Sequence, residues 1–324
     1  MIKYSLNGIW NLQGAGYNVD GEIPGSLYSF LLEKGLMENP HYGLNALDAV
    51  KICNNEFTFT KSFDYTIKAK NIELVCEGID TLCTIYLNGI KVGETENMHR
   101  VYKFDVSKIL KNGVNEIKAV FLPLEDYMGE KIKENYIFGG GHCLPGMMYV
   151  RKAHSMLGWD WGPRLPDLGI WKNIYLAEKD LACVEDFEIE QIHENGNVYI
   201  IPKVKTSKTC EVECKLTHPN GEVTVIKEGE KNKVENPKLW WPNGYGEHPL
   251  YTITVSALEN GVVTDENSKR IGLRTLKLVR EKDEYGETFL HEVNGIRIFA
   301  MGSDYIPEDN ILKKNYTRKN KKIT

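Results

Sequence analysis

The stretch from Thr81 to Glu94 reads TLCTIYLNGIKVGE, and it decides the fold class. It follows FTFTKSFDY (Phe57–Tyr65), in which apolar or aromatic residues alternate with polar ones, the period of a strand with one buried face. Asn88-Gly89 lies in the middle of Thr81–Glu94, and this dipeptide readily adopts the positive φ angles of a tight β-turn. The stretch therefore predicts two antiparallel strands joined at Asn88-Gly89.

The same strand pattern recurs on both sides of this hairpin. We expect strands in FTFTKSFDY (Phe57–Tyr65), IELVCEGI (Ile72–Ile79) and GIWKNIYLAEKD (Gly169–Asp180), and a meander through YKFDVSKIL and NEIKAVFLPL around Asn112-Gly113. The exception is SLYSFLLEKGLM (Ser26–Met37), a short helix that Ser26 caps and that ends near Gly35. Short strands at this spacing are typical of a β-sandwich rather than of βαβ units.

A second all-β stretch begins near Cys183 and contains about seven alternating segments split by Asn-Gly turns, which is the size of an immunoglobulin-like sandwich. FLHEVNGIRIFAMGSDYIP (Phe289–Pro307) then predicts a hairpin at Asn294-Gly295 followed by an apolar strand. We therefore expect an all-β protein with segments at 1–180, 181–280 and 281–324.

Composition excludes several classes of function. With 42% hydrophobic residues, 26% charged residues and a net charge of -5, the chain gives no reason to expect nucleic acid or an acidic membrane as partner. No apolar run approaches the ~18 residues of a membrane span, and no signal peptide is evident. Lys313–Thr324 carries six basic residues and no acidic one, which predicts a solvated end. The sequence carries no signal for an oligomeric state.

The seven cysteines lack the spacing of a zinc site. No other feature of the sequence implies a metal or an organic cofactor, and none is expected. Free thiols in a reducing compartment fit this pattern, and it predicts a cytoplasmic protein.

The most unusual string is RKAHSMLGWDWGPRLPDLGIWKNI, Arg151–Ile174. Trp159, Asp160 and Trp161 place a carboxylate between two indole rings. Sugars present apolar C–H faces that pack on indole and hydroxyls that donate hydrogen bonds to a carboxylate, so this combination suits carbohydrate. The alternative is two core tryptophans with an aspartate that caps a turn.

A second aromatic cluster is LWWPNGYGEHPLY, Leu239–Tyr251. Trp240, Trp241 and Tyr245 could form another binding platform. The pattern is more typical of a rigid aromatic-proline turn that locks one sandwich against its neighbour.

Taken in order, these motifs resemble family 2 of the glycoside hydrolases. The strings that carry the resemblance are LNGIW (Leu6–Trp10), IPGS (Ile23–Ser26), GIDTLCTIYLNG (Gly78–Gly89), LWWPNGYGEHPLY, IGLRT (Ile271–Thr275) and FLHEVNGIRIFAMGSDYIPED (Phe289–Asp309). The resemblance implies a jelly-roll sugar-binding sandwich, an immunoglobulin-like sandwich and a short stub of the catalytic (β/α)₈ barrel.

Within the family, RKAHSMLGWDWGPRLP resembles the segment of β-mannosidases in which a jelly-roll loop reaches into the active site. The resemblance implies that Asp160 accepts hydrogen bonds from hydroxyls of the terminal mannose of a β-mannoside oligosaccharide, and that Trp159 and Trp161 shape that subsite. Arg151 and Lys152 belong to the same motif, and either sugar contact or internal ion pairing could explain them.

We expect no catalytic residue in this chain. A retaining glycosidase uses two carboxyl groups about 5 Å apart, and in the family both are glutamates on late strands of a barrel of about 250 residues. Only 40 positions follow Glu284. Asn54-Asn55-Glu56 imitates the family's Asn-Glu pair but precedes a strand of the first sandwich, and Gly139-Gly140-Gly141 lacks the Lys-Ser/Thr of a phosphate loop.

The expected function is thus the amino-terminal part of an exo-acting retaining β-mannosidase, truncated at the start of its barrel and inactive alone. Two alternatives remain open. The chain could be a stand-alone carbohydrate-binding protein of two sandwiches, or its specificity could be that of another family 2 enzyme, a β-galactosidase or exo-glucosaminidase.

Overall fold

Short antiparallel strands are the main secondary structure of the chain, and the computed structural model describes residues 2–307 and 309–312. The chain divides into a first unit of 2–180 with 305–312, and a second unit, Leu181–Asp304. The basic stretch Lys313–Thr324 lies outside the described residues. Strands β1 to β14 belong to the first unit and are Lys3–Ser5, Gly8–Gly14, Tyr17–Ile23, Phe57–Tyr65, Ile72–Cys76, Ile79–Asp80, Cys83–Leu87, Ile90–Thr95, Tyr102–Asp105, Gly113–Phe121, Leu157–Trp159, Gly162–Arg164, Gly169–Ile170 and Ile174–Glu178.

Two sheets of the first unit share one apolar core. The larger has the order β3-β2-β4-β10-β7-β8 and the smaller β1-β14-β5-β9, while β11-β12 and β13-β6 form short pairs. Alternate residues of each sheet point inward, so Phe57 and Phe59 of β4 join Leu74 of β5 and Leu176 of β14 in the same cluster. This confirms the predicted β-sandwich.

The hairpin predicted at Asn88-Gly89 forms between β7 and β8, and both turn residues have positive φ angles, 52° and 79°. The meander predicted around Asn112-Gly113 is wrong. β9 pairs with β5 in the smaller sheet, whereas β10 lies between β4 and β7 in the larger one. The chain therefore crosses from the smaller to the larger sheet between β9 and β10.

Helix α1, Leu27–Glu33, confirms the helix predicted after Ser26. The Ser26 hydroxyl accepts a hydrogen bond from the Ser29 backbone N–H at 3.2 Å, and the Ser29 hydroxyl accepts one from the Ser26 N–H at 2.9 Å. Gly35, with a φ of 65°, follows the end of the helix. Helices α2, Asn45–Cys53, and α3, Leu124–Glu134, were not predicted.

The second unit is also a sandwich. Its strands β15 to β24 are Val184–Glu194, Asn197–Thr206, Glu211–Thr217, Val223–Ile226, Asn232–Val234, Tyr251–Glu259, Val262–Ile271, Leu276–Val279, Leu290–Val293 and Ile296–Ile298. The sheets β15-β16-β19 and β18-β17-β20-β21 enclose a separate core that includes Phe187, Ile200, Leu216 and Ile253.

A third sheet, β22-β23-β24, ends the second unit. The hairpin predicted at Asn294-Gly295 joins β23 to β24. The apolar strand predicted after it is wrong, because the described residues Phe299–Pro307 are not in a strand. An extended segment becomes a strand only when a neighbour supplies its hydrogen bonds, and this segment has none among the residues described here. Among those residues, no helix is both long and apolar enough to cross a bilayer.

A charged cluster lies buried in the first unit. The Lys152 ammonium pairs with the Asp80 carboxylate, both side chains being fully buried, and donates a hydrogen bond to the Asp167 backbone carbonyl at 2.6 Å. The Asp167 carboxylate accepts from the backbone N–H groups of Tyr28 and Leu168 at 3.0 and 2.9 Å. Of the two roles considered for Lys152, the structure shows internal ion pairing, because a fully buried ammonium does not reach a sugar.

We expect Lys152→Met to lower the free energy of unfolding of the first unit by about 3–5 kcal/mol, because it leaves Asp80 buried without its cation. Lys91→Met is the matched control, since Lys91 pairs with Glu94 at 2.7 Å on the surface and should matter little. Urea unfolding measures both variants. Equal effects would contradict the assigned role of the buried pair.

The pH dependence of stability provides a second test. Burial raises the pKa of Asp167 from 3.8 to about 6, against the opposing effect of its hydrogen bonds and of Lys152. The folded state thus binds the proton more tightly than the unfolded state, and stability falls as pH rises from about 4 to 6. Relative to that of Asp167→Asn, the free energy of unfolding of the natural chain should fall by roughly 3 kcal/mol between about pH 4 and pH 7.

Asp180→Asn provides a control of opposite sign. Backbone hydrogen bonds from Lys70 and Asn71 lower the pKa of Asp180, so its contribution is lost as pH falls. If the difference in unfolding free energy between the natural chain and Asp167→Asn does not change over this pH range, the raised pKa of Asp167 is refuted.

Candidate functional site

A short hairpin carries the three predicted site residues of the first unit. Strands β11 and β12 pair Leu157 with Arg164 and Trp159 with Gly162, which leaves Asp160 and Trp161 as the two residues of the turn. The structure thus places all three predicted residues together at the tip of one hairpin.

Gly158 lets this hairpin lie against the preceding loop. Its φ is 95°, and an added Cβ would lie 2.6 Å from the Arg164 side chain and 2.9 Å from the His142 carbonyl oxygen. The Arg164 Nε donates to the same His142 carbonyl at 3.1 Å, and the Leu144 N–H donates to the Leu157 carbonyl at 2.8 Å. A side chain at position 158 would therefore displace the hairpin from its support.

The hairpin tip is open to solvent. Trp159 is 46% exposed and Trp161 40%, and Asp160 is exposed between them. Within the part of the chain that the structure describes, the Asp160 carboxylate has no hydrogen bond or ion pair. This excludes the alternative of two core tryptophans with a turn-capping aspartate. The tip presents two apolar faces and a free acceptor, which suits the C–H faces and hydroxyls of a sugar ring.

The glycine triplet lies beside this tip. Gly139, Gly140 and Gly141 line a hollow of about 260 Å³ that Phe138 and Arg164 also border. An added Cβ at Gly140 would lie 3.9 Å from the Trp159 ring, so the loop is close enough to shape one side of the indole.

A larger cavity, of about 800 Å³, lies behind β12 and was missed by sequence reasoning. Helices α2 and α3 form two of its walls, and its lining is mostly apolar, with Leu47, Met128 and Ile132 among the side chains and His142 and Arg164 at its polar edge. Without the two unpredicted helices, no sequence signal could have located it.

The remaining motif residues take structural positions. The Arg151 side chain is exposed and its carbonyl accepts from the Met98 N–H at 2.9 Å. Asn55 ends α2 by donating to the carbonyls of Lys51 and Ile52 at 2.9 and 3.1 Å, which confirms that Asn54-Asn55-Glu56 is a turn that precedes β4.

The second aromatic cluster belongs to the other unit and folds back on itself. The Arg274 guanidinium lies 4.7 Å from the centre of the Trp240 ring, and the Trp241 N–H donates to the Glu247 carbonyl at 2.9 Å. Gly272 packs against Trp240, where an added Cβ would lie 2.7 Å from the side chain. These contacts favour the rigid turn over a second binding platform.

The first unit and the second match different models of one family. The model described as glycosyl hydrolase 2 galactose-binding domain-like matches residues 10–172, and that of glycosyl hydrolases family 2 matches residues 194–274. No cluster of His, Cys, Asp or Glu among the described residues is arranged to hold a metal ion.

Similar proteins include a β-mannosidase of Capra hircus, 28% identical over 96% of this chain and 39% of the relative. A β-mannosidase B of Aspergillus oryzae is 30% identical over 90% of this chain and 36% of the length of that relative. A crystal structure of a β-D-mannosidase from Dictyoglomus thermophilum has a TM-score of 0.86 and 32% identity, over 96% of this chain and 41% of that one. This chain thus spans about two fifths of the length of the relatives it matches.

The resemblance predicted from the order of the motifs is therefore confirmed by the two family models and by the structural match. The chain belongs to family 2 of the glycoside hydrolases.

Proposed function

We propose that this chain provides the sugar-recognition part of a β-mannosidase. Asp160 accepts hydrogen bonds from hydroxyls of a terminal β-mannosyl residue, and Trp159 and Trp161 pack against the faces of the sugar. The observation that carries this proposal is the free, exposed carboxylate between two half-exposed indoles on an anchored hairpin.

The names of the similar proteins support mannose as the sugar, since the relatives from goat and Aspergillus and the Dictyoglomus structure are all named β-mannosidase. In the whole protein, the reaction is exo-acting hydrolysis of terminal β-mannosides with retention of configuration. One carboxyl group attacks the anomeric carbon while a second protonates the leaving oxygen, and water then releases the sugar with the second group acting as base.

This chain alone is proposed to hydrolyse nothing. The Asp80 carboxyl group, which pairs with Lys152, and the carboxyl group of nearby Asp167 are both fully buried and cannot flank a glycosidic bond. Residues 1–180 and 181–280 are proposed as the jelly-roll and immunoglobulin-like domains, and 281–324 as the start of the catalytic barrel. The barrel would supply both glutamates.

The cytoplasm is the proposed location. All seven cysteines are free, and burial raises the pKa of Cys83 and Cys214 above the ordinary thiol value. Unpaired, unreactive thiols fit a reducing compartment.

Titration with methyl β-D-mannoside tests the recognition site in this chain. We expect weak, millimolar binding that shifts the NMR signals of the Trp159 and Trp161 indole N–H groups, and no release of the sugar. Asp160→Ala should weaken binding about tenfold or more, because it removes a charge-assisted acceptor. Methyl β-D-galactoside should bind less well than the mannoside.

Asp64→Ala is the matched control, since Asp64 is an exposed carboxylate of the first unit on β4, distant in sequence from the hairpin. Equal affinities of Asp160→Ala and the natural chain would remove the proposed role of Asp160. Tight binding by the natural chain would favour the alternative of a stand-alone binding protein, and preference for the galactoside another family 2 specificity.

A further inference from the structure

After Asp304 the chain returns to the first unit and packs against it. Ile311 is 5% exposed and belongs to the core cluster of the first sandwich. The Leu312 N–H donates to the Asp167 carboxylate at 3.4 Å, and the Asp309 carboxylate lies 3.4 Å from Nε2 of His41. We call Asp309–Leu312 the return segment.

Asn310 is the polar residue at the centre of the return segment, and it is only 6% exposed. Its side-chain amide donates one hydrogen bond to the Ser155 carbonyl and another to the Pro163 carbonyl, each at 3.0 Å. Ser155 precedes β11 and Pro163 lies in β12, so the amide joins the two arms of the hairpin that carries Asp160.

The chemistry of this bridge suits an amide. A side-chain NH₂ group has two hydrogens that diverge in one plane, and both are used here on two carbonyl acceptors. A serine hydroxyl has one hydrogen and can serve one carbonyl, while a carboxylate has none and would repel both. The hairpin needs the support, since β11 and β12 share only two register pairs and a short two-stranded hairpin is unstable alone.

We propose that Asn310 is a positioning residue that holds the two arms of the Leu157–Arg164 hairpin at a fixed separation, and thereby presents Trp159, Asp160 and Trp161 in one geometry. The part of this inference that concerns sugar rests on the function proposed above. The part that concerns the hairpin is independent of it. A residue that follows the second unit in sequence thus sets the recognition surface of the first.

Hydrogen exchange of peptides that cover residues 154–168 tests the bridge. We expect Asn310→Asp to lower amide protection there by about tenfold, because two hydrogen bonds are lost, while strands β4 and β10 keep theirs. The amide protection of these peptides in Asn310→Ser should lie between that of the natural chain and that of Asn310→Asp, since the serine hydroxyl can keep one of the two hydrogen bonds. Unchanged protection at 154–168 in Asn310→Asp would overturn the proposal, and so would an equal loss throughout the first unit, which marks a merely structural role.

Asn232→Asp is the matched control. The Asn232 amide also donates to several backbone carbonyls, among them that of Lys227 at 2.8 Å, but it belongs to the second unit. Asn232→Asp should leave the amide protection of residues 154–168 unchanged. A loss of protection there equal to that in Asn310→Asp would overturn the specific role of Asn310.

Titration with methyl β-D-mannoside separates the two proposals. If both hold, Asn310→Asp weakens binding and loosens the hairpin, whereas Asp160→Ala weakens binding and leaves the hairpin protected. If Asp160→Ala has no effect on binding while Asn310→Asp still loosens the hairpin, the recognition function fails and the positioning role stands. If binding depends on Asp160 but Asn310→Asp leaves it unchanged, the proposed link from Asn310 to the recognition surface is refuted.

Discussion

The buried ammonium of Lys152 is the constraint on which the Leu157–Arg164 hairpin depends. Removing a charge from water costs several kcal/mol unless partners replace the lost hydration. Its partners are the Asp80 carboxylate and the Asp167 carbonyl, 72 and 15 residues away in sequence. Because Lys152 precedes the hairpin and Asp167 follows it, the contact at 2.6 Å closes the segment between them into a loop with fixed ends.

The cluster of Lys152, Asp80 and Asp167 also contacts other elements at the base of the hairpin. The Asp167 carboxylate accepts from the Tyr28 N–H at the start of α1 and from the Leu312 N–H of the return segment, while Asp80 pairs with Gly169 across β6 and β13. Each bond offsets part of the cost of burying charge, and each also fixes the position of one more segment. The polar groups therefore specify where α1, the hairpin and the return segment meet, which apolar packing alone would leave less defined.

Sequence predicted the features whose causes are local. The turns at Asn88-Gly89 and Asn294-Gly295 and the cap at Ser26 depend on a few adjacent residues, and all three form. The strands around Asn112-Gly113 could not be assigned to their sheets, because each strand's partner lies far away in sequence. Helix α2 was missed since Leu44 at its N-cap makes no side-chain cap, whereas α3 had acidic residues in its first turn and basic ones in its last that could have found it.

In the candidate site, too, the residues with local signals could be predicted from the sequence and those with distant partners could not. Trp159, Asp160 and Trp161 could be chosen from their residue types and adjacency, but the role of Lys152 stayed open because its partner Asp80 is distant in sequence. Nothing near Asn310 marks it as a partner of the hairpin, since its two acceptors are backbone carbonyls, which every residue has.

The two ends of the hairpin differ in burial, and this contrast explains how an exposed carboxylate is kept on a fixed backbone. At the tip, Asp160 needs no protein partner because water solvates it, so its acceptor sites remain available to hydroxyl groups. An unpartnered and exposed side chain contributes nothing to holding the backbone beneath it. The rigidity of that backbone has to come from other groups, and in this chain they are the buried Lys152 at the base and Asn310 between the arms. Burial makes these polar contacts rigid, and exposure leaves the acceptor of Asp160 free, so the same hairpin combines a buried base with an exposed tip.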